Sequence, residues 1–195
     1  MNGFHKLTTR GFTLIETMIA VAILSLAVAG PLYAANRAIV AAQVARDQLV
    51  ALYLAQEGIE YVRAMRDDAY LAAYREGGTQ VSATAWDAFL HGTGATSISG
   101  CVLTTCTIDP ARTMGTGVGL ALEPCEGESC GMLYLANERY TVQNDVPDGV
   151  PTAFTRTVQA TEISANEERI ESVVSWSFHG TPYLVKASDH LTPWQ

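Results

Sequence analysis

From Phe12 to Gly30 the chain reads FTLIETMIAVAILSLAVAG, an apolar run whose only ionisable side chain is Glu16. About 20 consecutive apolar residues are enough for a helix to cross a bilayer. A helix that is apolar on every side must be surrounded, by lipid or by other helices. Glu16 sharpens the constraint. A carboxylate at a bilayer centre costs roughly 2.5–3.5 kcal/mol on insertion scales, so one placed there points to a partner and a task.

The flank before this run is basic. Lys6 and Arg10 precede it, and no Asp or Glu occurs in the first eleven residues. Positive flanks stay in the cytoplasm, so the bulk of the chain is expected outside it. An ordinary secretory signal would end in a small-residue Ala-x-Ala site after the apolar segment; this run lacks one and carries an acid inside it.

Arg10-Gly11-Phe12-Thr13-Leu14-Ile15-Glu16 resembles the type III signal of type IV prepilins and of type II secretion pseudopilins. The resemblance implies cleavage between Gly11 and Phe12 by a prepilin peptidase, N-methylation of Phe12, and stacking of the apolar helices into a filament on an inner-membrane assembly platform. It also implies that Glu16 meets the charged amino terminus of a neighbouring subunit. The physics is consistent with that role, because an ammonium and a carboxylate paired in a low-dielectric core each remove the other's isolation cost.

Losing the two leader cations would make the formal charge of −8 two units more negative. An acidic chain lacks the basic stripe that nucleic-acid binding requires, and no nucleic-acid partner is expected. The chain's 195 residues suffice for one modest domain and a long helix.

Beyond Gly30 the helical pattern continues to about Tyr74, rich in Ala, Leu, Gln, Glu and Arg, which are good helix formers. Ala45, Leu49, Leu52, Ala55, Ile59 and Val62 recur at spacings of three and four and predict one buried face. A helix of some sixty residues would be about 90 Å long. Pro31 after Gly30 removes an intrahelical donor and predicts a kink or a locally unwound stretch there. Gly58, which costs about 1 kcal/mol against Ala in a helix interior, predicts close approach of helix and sheet. The stretch Ala55 to Arg63 also looks like the helix continuation of minor pilins and pseudopilins.

Residues 76–131 read as irregular and Gly-rich, with a short helix at Ala85 to Leu90 pinned by Trp86, Phe89 and Leu90. Cys101, Cys106, Cys125 and Cys130 fall in this stretch. An exported chain favours disulfides, and four cysteines allow three pairings. Two short loops compete with a nested arrangement, and a zinc site on the repeated Cys-x4-Cys is the alternative chemistry. The glycines at 115, 117 and 119 lack the lysine and the strand-turn-helix order of a phosphate loop.

From Met132 onward strands are expected: Met132 to Leu135, Tyr140 to Val142, Phe154 to Ile163, Arg169 to Phe178 and Tyr183 to Leu191, in an antiparallel meander. Ile170, Ser172, Val174, Trp176 and Phe178 share one parity, so one face should be buried against the helix. The reading is an α+β, pilin-like fold in five stretches: leader 1–11, membrane helix 12–32, amphipathic continuation 33–75, irregular region 76–131 and sheet 132–195.

No catalytic constellation is legible. His91, His179 and His190 belong to no metal-ligand motif, and Asp189-His190 reads as sheet-edge polarity rather than part of a triad. Asn144, Asp145 and Asp148 beside Gly149 lack EF-hand spacing and read as an acidic turn. No cofactor is expected. Overall the sequence looks like a non-enzymatic minor pilin of a type IV pilus, anchored by one pass in membrane lipid with its domain outside the cytoplasm and assembling with other pilin subunits. The alternatives are a minor pseudopilin and a membrane-anchored binding domain.

Overall fold

The computed structural model describes residues 11–102, 104–110, 122–125, 130–143 and 147–193. Helix α1 spans Leu14–Glu76 and takes part in both of the chain's compact units, the first ending at Arg46 and the second beginning at Asp47. In the first unit every residue from Gly11 to Gln43 is exposed. The helix runs through Gly30 and Pro31 without interruption.

The second unit packs the later part of α1 on an antiparallel sheet. Seven strands lie among the described residues: β1 (Cys106–Ile108), β2 (Leu122–Pro124), β3 (Met132–Ala136), β4 (Arg139–Thr141), β5 (Val150–Ser164), β6 (Glu167–Phe178) and β7 (Thr181–Leu191). Strand β5 is the axis. Along one side it pairs with β6, which pairs in turn with β7. Its other side is shared, the stretch from Val150 to Thr155 facing β3 and Val158 facing β1.

This arrangement corrects the expected meander. β5, β6 and β7 do follow one another, but β5 pairs with β3 and leaves β4 outside it. The region from 76 to 131, described in part, also contains regular elements. It holds helix α2 (Val81–His91), a 3₁₀ turn at Ser99–Cys101, and the two short strands that extend the sheet. Trp86, Phe89 and Leu90 are buried, and Trp86 Nε1 donates to the Ala165 carbonyl at 3.0 Å, fastening α2 to the β5–β6 turn.

Parity on β6 follows the sequence pattern: Ile170, Ser172, Val174 and Trp176 are buried, and Phe178 is half-buried. The helix face matches the expected one at Ala55, Ile59 and Val62 and departs from it nearer the amino terminus. Ala51, Leu54, Ala55, Gly58, Ile59, Val62, Met65 and Ala69 are buried, whereas Ala45, Leu49 and Leu52 are exposed. The helix carries two apolar stripes here, and periodicity alone does not say which one meets the sheet.

The core falls into two clusters. One gathers Ile59, Val62 and Met65 with Phe89, Ile98, Ile108, Val158 and Ile170; the other gathers Leu54 and Ala55 with Leu133, Phe154, Val174 and Trp176. Gly58 packs directly on the sheet, against Ser172 and Val158. A Cβ there would overlap Ser172 Oγ and stand 3.2 Å from Ser172 Cβ and 3.5 Å from Val158 Cγ2. Overpacking of this kind costs typically about 1–3 kcal/mol. Gly58→Ala is therefore expected to lower the unfolding free energy by that amount in urea titration, and Ser172→Ala, which removes the nearest atom, should restore part of it.

Disulfides join Cys101 to Cys106 and Cys125 to Cys130, the two short loops among the pairings open to the sequence. The first ties the 3₁₀ turn to β1 inside the larger core cluster.

Candidate functional site

Thr13 opens α1. Its hydroxyl and its carbonyl both accept from the Glu16 N–H, at 3.3 and 3.1 Å, which satisfies one of the donors left open at a helix start. Thr-x-x-Glu is the pattern of a capping box, in which the glutamate side chain bonds back to the threonine N–H. Only the threonine half forms. The Glu16 carboxylate has no hydrogen bond or ion pair among the described residues.

The other polar side chains of the run behave differently. Thr17 Oγ1 donates to the Leu14 carbonyl and Ser25 Oγ to the Val21 carbonyl, both at 2.8 Å. Hydroxyls bonded to their own helix need nothing from outside. Glu16 is thus the one group in this stretch whose demand is unmet locally, and it sits in the first turn, where the positive end of the helix dipole favours an anion. Around it Leu14, Ile15, Met18 and Ile19 are all exposed.

Gly11 and Phe12 precede the helix, and Phe12 is 81 % exposed. A Cβ built on Gly11 meets nothing within 4 Å among the described residues. Any need for glycine at this position therefore comes from something that binds the segment, not from the chain's own packing. Lys6 and Arg10 lie outside the described residues, as do the glycines at 115, 117 and 119, and Asn144 and Asp145. Asp148 takes a positive φ of 61°, as a turn residue does.

Residues 7–30 match the family described as the prokaryotic N-terminal methylation motif. The chain carries a type IV prepilin-like signal. Comparison with curated proteins and with solved structures gave no match. The prepilin-like signal covers Gly11, Phe12 and Glu16 together with Gly30, and it is a substrate signal for prepilin peptidase that implies other pilin subunits as partners. The apolar helix that follows is long enough to cross a membrane. Behind it the long helix on an antiparallel sheet is the α+β, pilin-like arrangement.

The remaining sequence candidates do not converge. Asp189 accepts from Arg63 Nη2 at 2.7 Å, and this bond to Asp189 holds the Arg63 guanidinium above its ordinary pKa. His190 Nδ1 lies 2.6 Å from Glu167 Oε1, His91 Nδ1 lies 3.1 Å from Asp87 Oδ1, and His179 stacks on Phe178. Asp189 and His190 point to different partners and form no dyad. Arg63 and Asp189 instead join α1 to β7.

Sequence reasoning passed over Arg156. It is fully buried and the largest such side chain among the described residues. Nη1 donates to the Leu54 carbonyl at 3.2 Å and to Glu57 Oε2, and Nη2 donates to the Ile108 carbonyl at 2.9 Å. One guanidinium thus clamps α1, β5 and β1 between the two core clusters. The available signal was parity, since Arg156 alternates with Phe154, Val158 and Ala160 on the buried face of β5.

Proposed function

We propose that this chain is a non-enzymatic structural subunit, a minor pilin of a type IV pilus or related filament. In this reading the leader is removed between Gly11 and Phe12, Phe12 is N-methylated, and the mature subunit waits in the cytoplasmic membrane with its sheet domain outside. An inner-membrane assembly platform then inserts it, and Glu16 docks against the Phe12 ammonium of a neighbour. Pro31 is the place where the upper membrane helix bends or stretches on assembly.

The observation that carries the reading is Glu16 itself, a carboxylate with no partner among the described residues, in an exposed apolar helix inside the matched motif. A second supports it. Leu49, Leu52 and Tyr53 are 56, 38 and 68 % exposed along the helix. Exposed apolar patches of this kind mark contact surfaces, and neighbouring subunits would cover them. The disulfide-bearing insertion of short elements between α1 and β3 favours a minor over a major subunit.

The cleavage step has its own test. Because Gly11 has free space around it, Gly11→Val leaves the fold intact but presents a branched side chain to a peptidase groove shaped for glycine. The variant is expected to keep its leader and stay out of filaments, while Gly11→Ala is processed at least in part. Amino-terminal sequencing of both from membranes decides the matter, and normal processing of the valine variant would overturn the assignment.

A further inference from the structure

At the end of the sheet where β5 turns into β6, Glu162 and Glu168 stand directly opposite each other on adjacent strands. Like charges in register repel. Arg169, the next residue on β6, has the opposite parity and pairs with Glu171 at 3.4 Å, so it does not neutralise them. Glu168 is only 1 % exposed, and its Oε1 has no hydrogen-bond partner among the described residues. A buried carboxylate oxygen without a partner carries its full desolvation cost.

Both glutamates line a cavity of about 520 Å³, within the roughly 300–1,000 Å³ typical of small-ligand sites. Leu90 and Val102 supply apolar wall, Thr104 a hydroxyl, and His91 stands at the side. We propose that this cavity binds an alkylammonium group, with Glu168 and Glu162 accepting from the ammonium and Leu90 and Val102 packing on the alkyl chain. A cation there satisfies the orphan oxygen and cancels the repulsion across the strands in one step. An organic cation fits better than a metal ion, because part of the wall is apolar and no group of three His, Cys, Asp or Glu among the described residues is placed to hold a metal. Burial and the nearby Glu162 also hold the Glu168 carboxyl above its ordinary pKa, while His91 opposes the shift.

The test is calorimetric titration of the full chain in detergent at neutral pH, with cadaverine and, separately, with lysine blocked at both ends. Saturable binding of either is expected, weakened at least about tenfold by Glu168→Gln and less by Glu162→Gln. Tighter binding of cadaverine identifies free polyamines as the source. Equal or tighter binding of blocked lysine identifies the side chain of a partner protein. Glu162 is exposed, so its variant folds and carries the test even if Glu168→Gln does not. Absence of binding at about 10 mM, a weakness of about 2.7 kcal/mol or less in affinity terms, would overturn the proposal. So would undiminished binding by both variants, or displacement of the amine by an equal concentration of calcium chloride.

Discussion

Glu16→Ala should pass into the membrane and lose its leader as the wild type does, yet its share in sheared filaments relative to the membrane fraction should fall by at least about tenfold. Insertion becomes easier when an acid is removed from an apolar helix. Assembly becomes harder, because the Phe12 ammonium of the neighbour is left in a low-dielectric core without a counterion. Breaking one side of a buried pair costs about 3–5 kcal/mol, and each 1.4 kcal/mol is about a tenfold change in equilibrium. The threonine half of the cap at Thr13 survives the substitution, since it uses the backbone of residue 16. Helix start and docking are thereby separated. A subunit at a filament tip has a neighbour on one side only, which would reduce the loss without abolishing it. Immunoblots of filament and membrane fractions, with amino termini verified, measure the ratio.

Arg156→Ala should destabilise the sheet domain by about 3–5 kcal/mol, the largest effect expected from any single change outside the membrane helix. The substitution strips donors from the Leu54 and Ile108 carbonyls and leaves Glu57 without its cation. It also opens a void between the two core clusters. Arg156→Met fills most of that void but provides no donors, so it should recover part of the loss. Glu57→Gln should cost less than either, since Glu57 is 47 % exposed and water can replace the ion pair. Thermal melts followed through the fluorescence of Trp86 and Trp176 would rank the three variants. Equal melting temperatures for Arg156→Ala and wild type would mean that the clamp contributes nothing.

The amino-terminal signal was legible in the sequence because its pattern is local. A glycine, an apolar run and one carboxylate retain their meaning without tertiary context, and the space around Gly11 and a Glu16 without a partner among the described residues add geometry to that reading. Parity on β6 was legible for a similar reason, because a strand buried on one face repeats every two residues. The contact face of α1 was legible only in part, at Ala55, Ile59 and Val62. Leu49 and Leu52 have the same apolar character as Leu54 and Ile59, and only the sheet's position chooses between the stripes. Strands β1 and β2 are three residues each and lie among glycines and cysteines, too short for alternation to emerge. Arg156 escaped because a charged residue on a buried parity is an exception, and its partners are mostly backbone carbonyls that leave no trace in sequence.

The most direct measurement is the intact mass and amino-terminal sequence of the protein recovered from sheared filaments. The recovered chain is expected to begin at methylated Phe12, with a mass lower by about four hydrogens than the fully reduced form because Cys101–Cys106 and Cys125–Cys130 are both closed. A protein that retains residues 1–11, or that stays wholly in the membrane fraction after shearing, would contradict it.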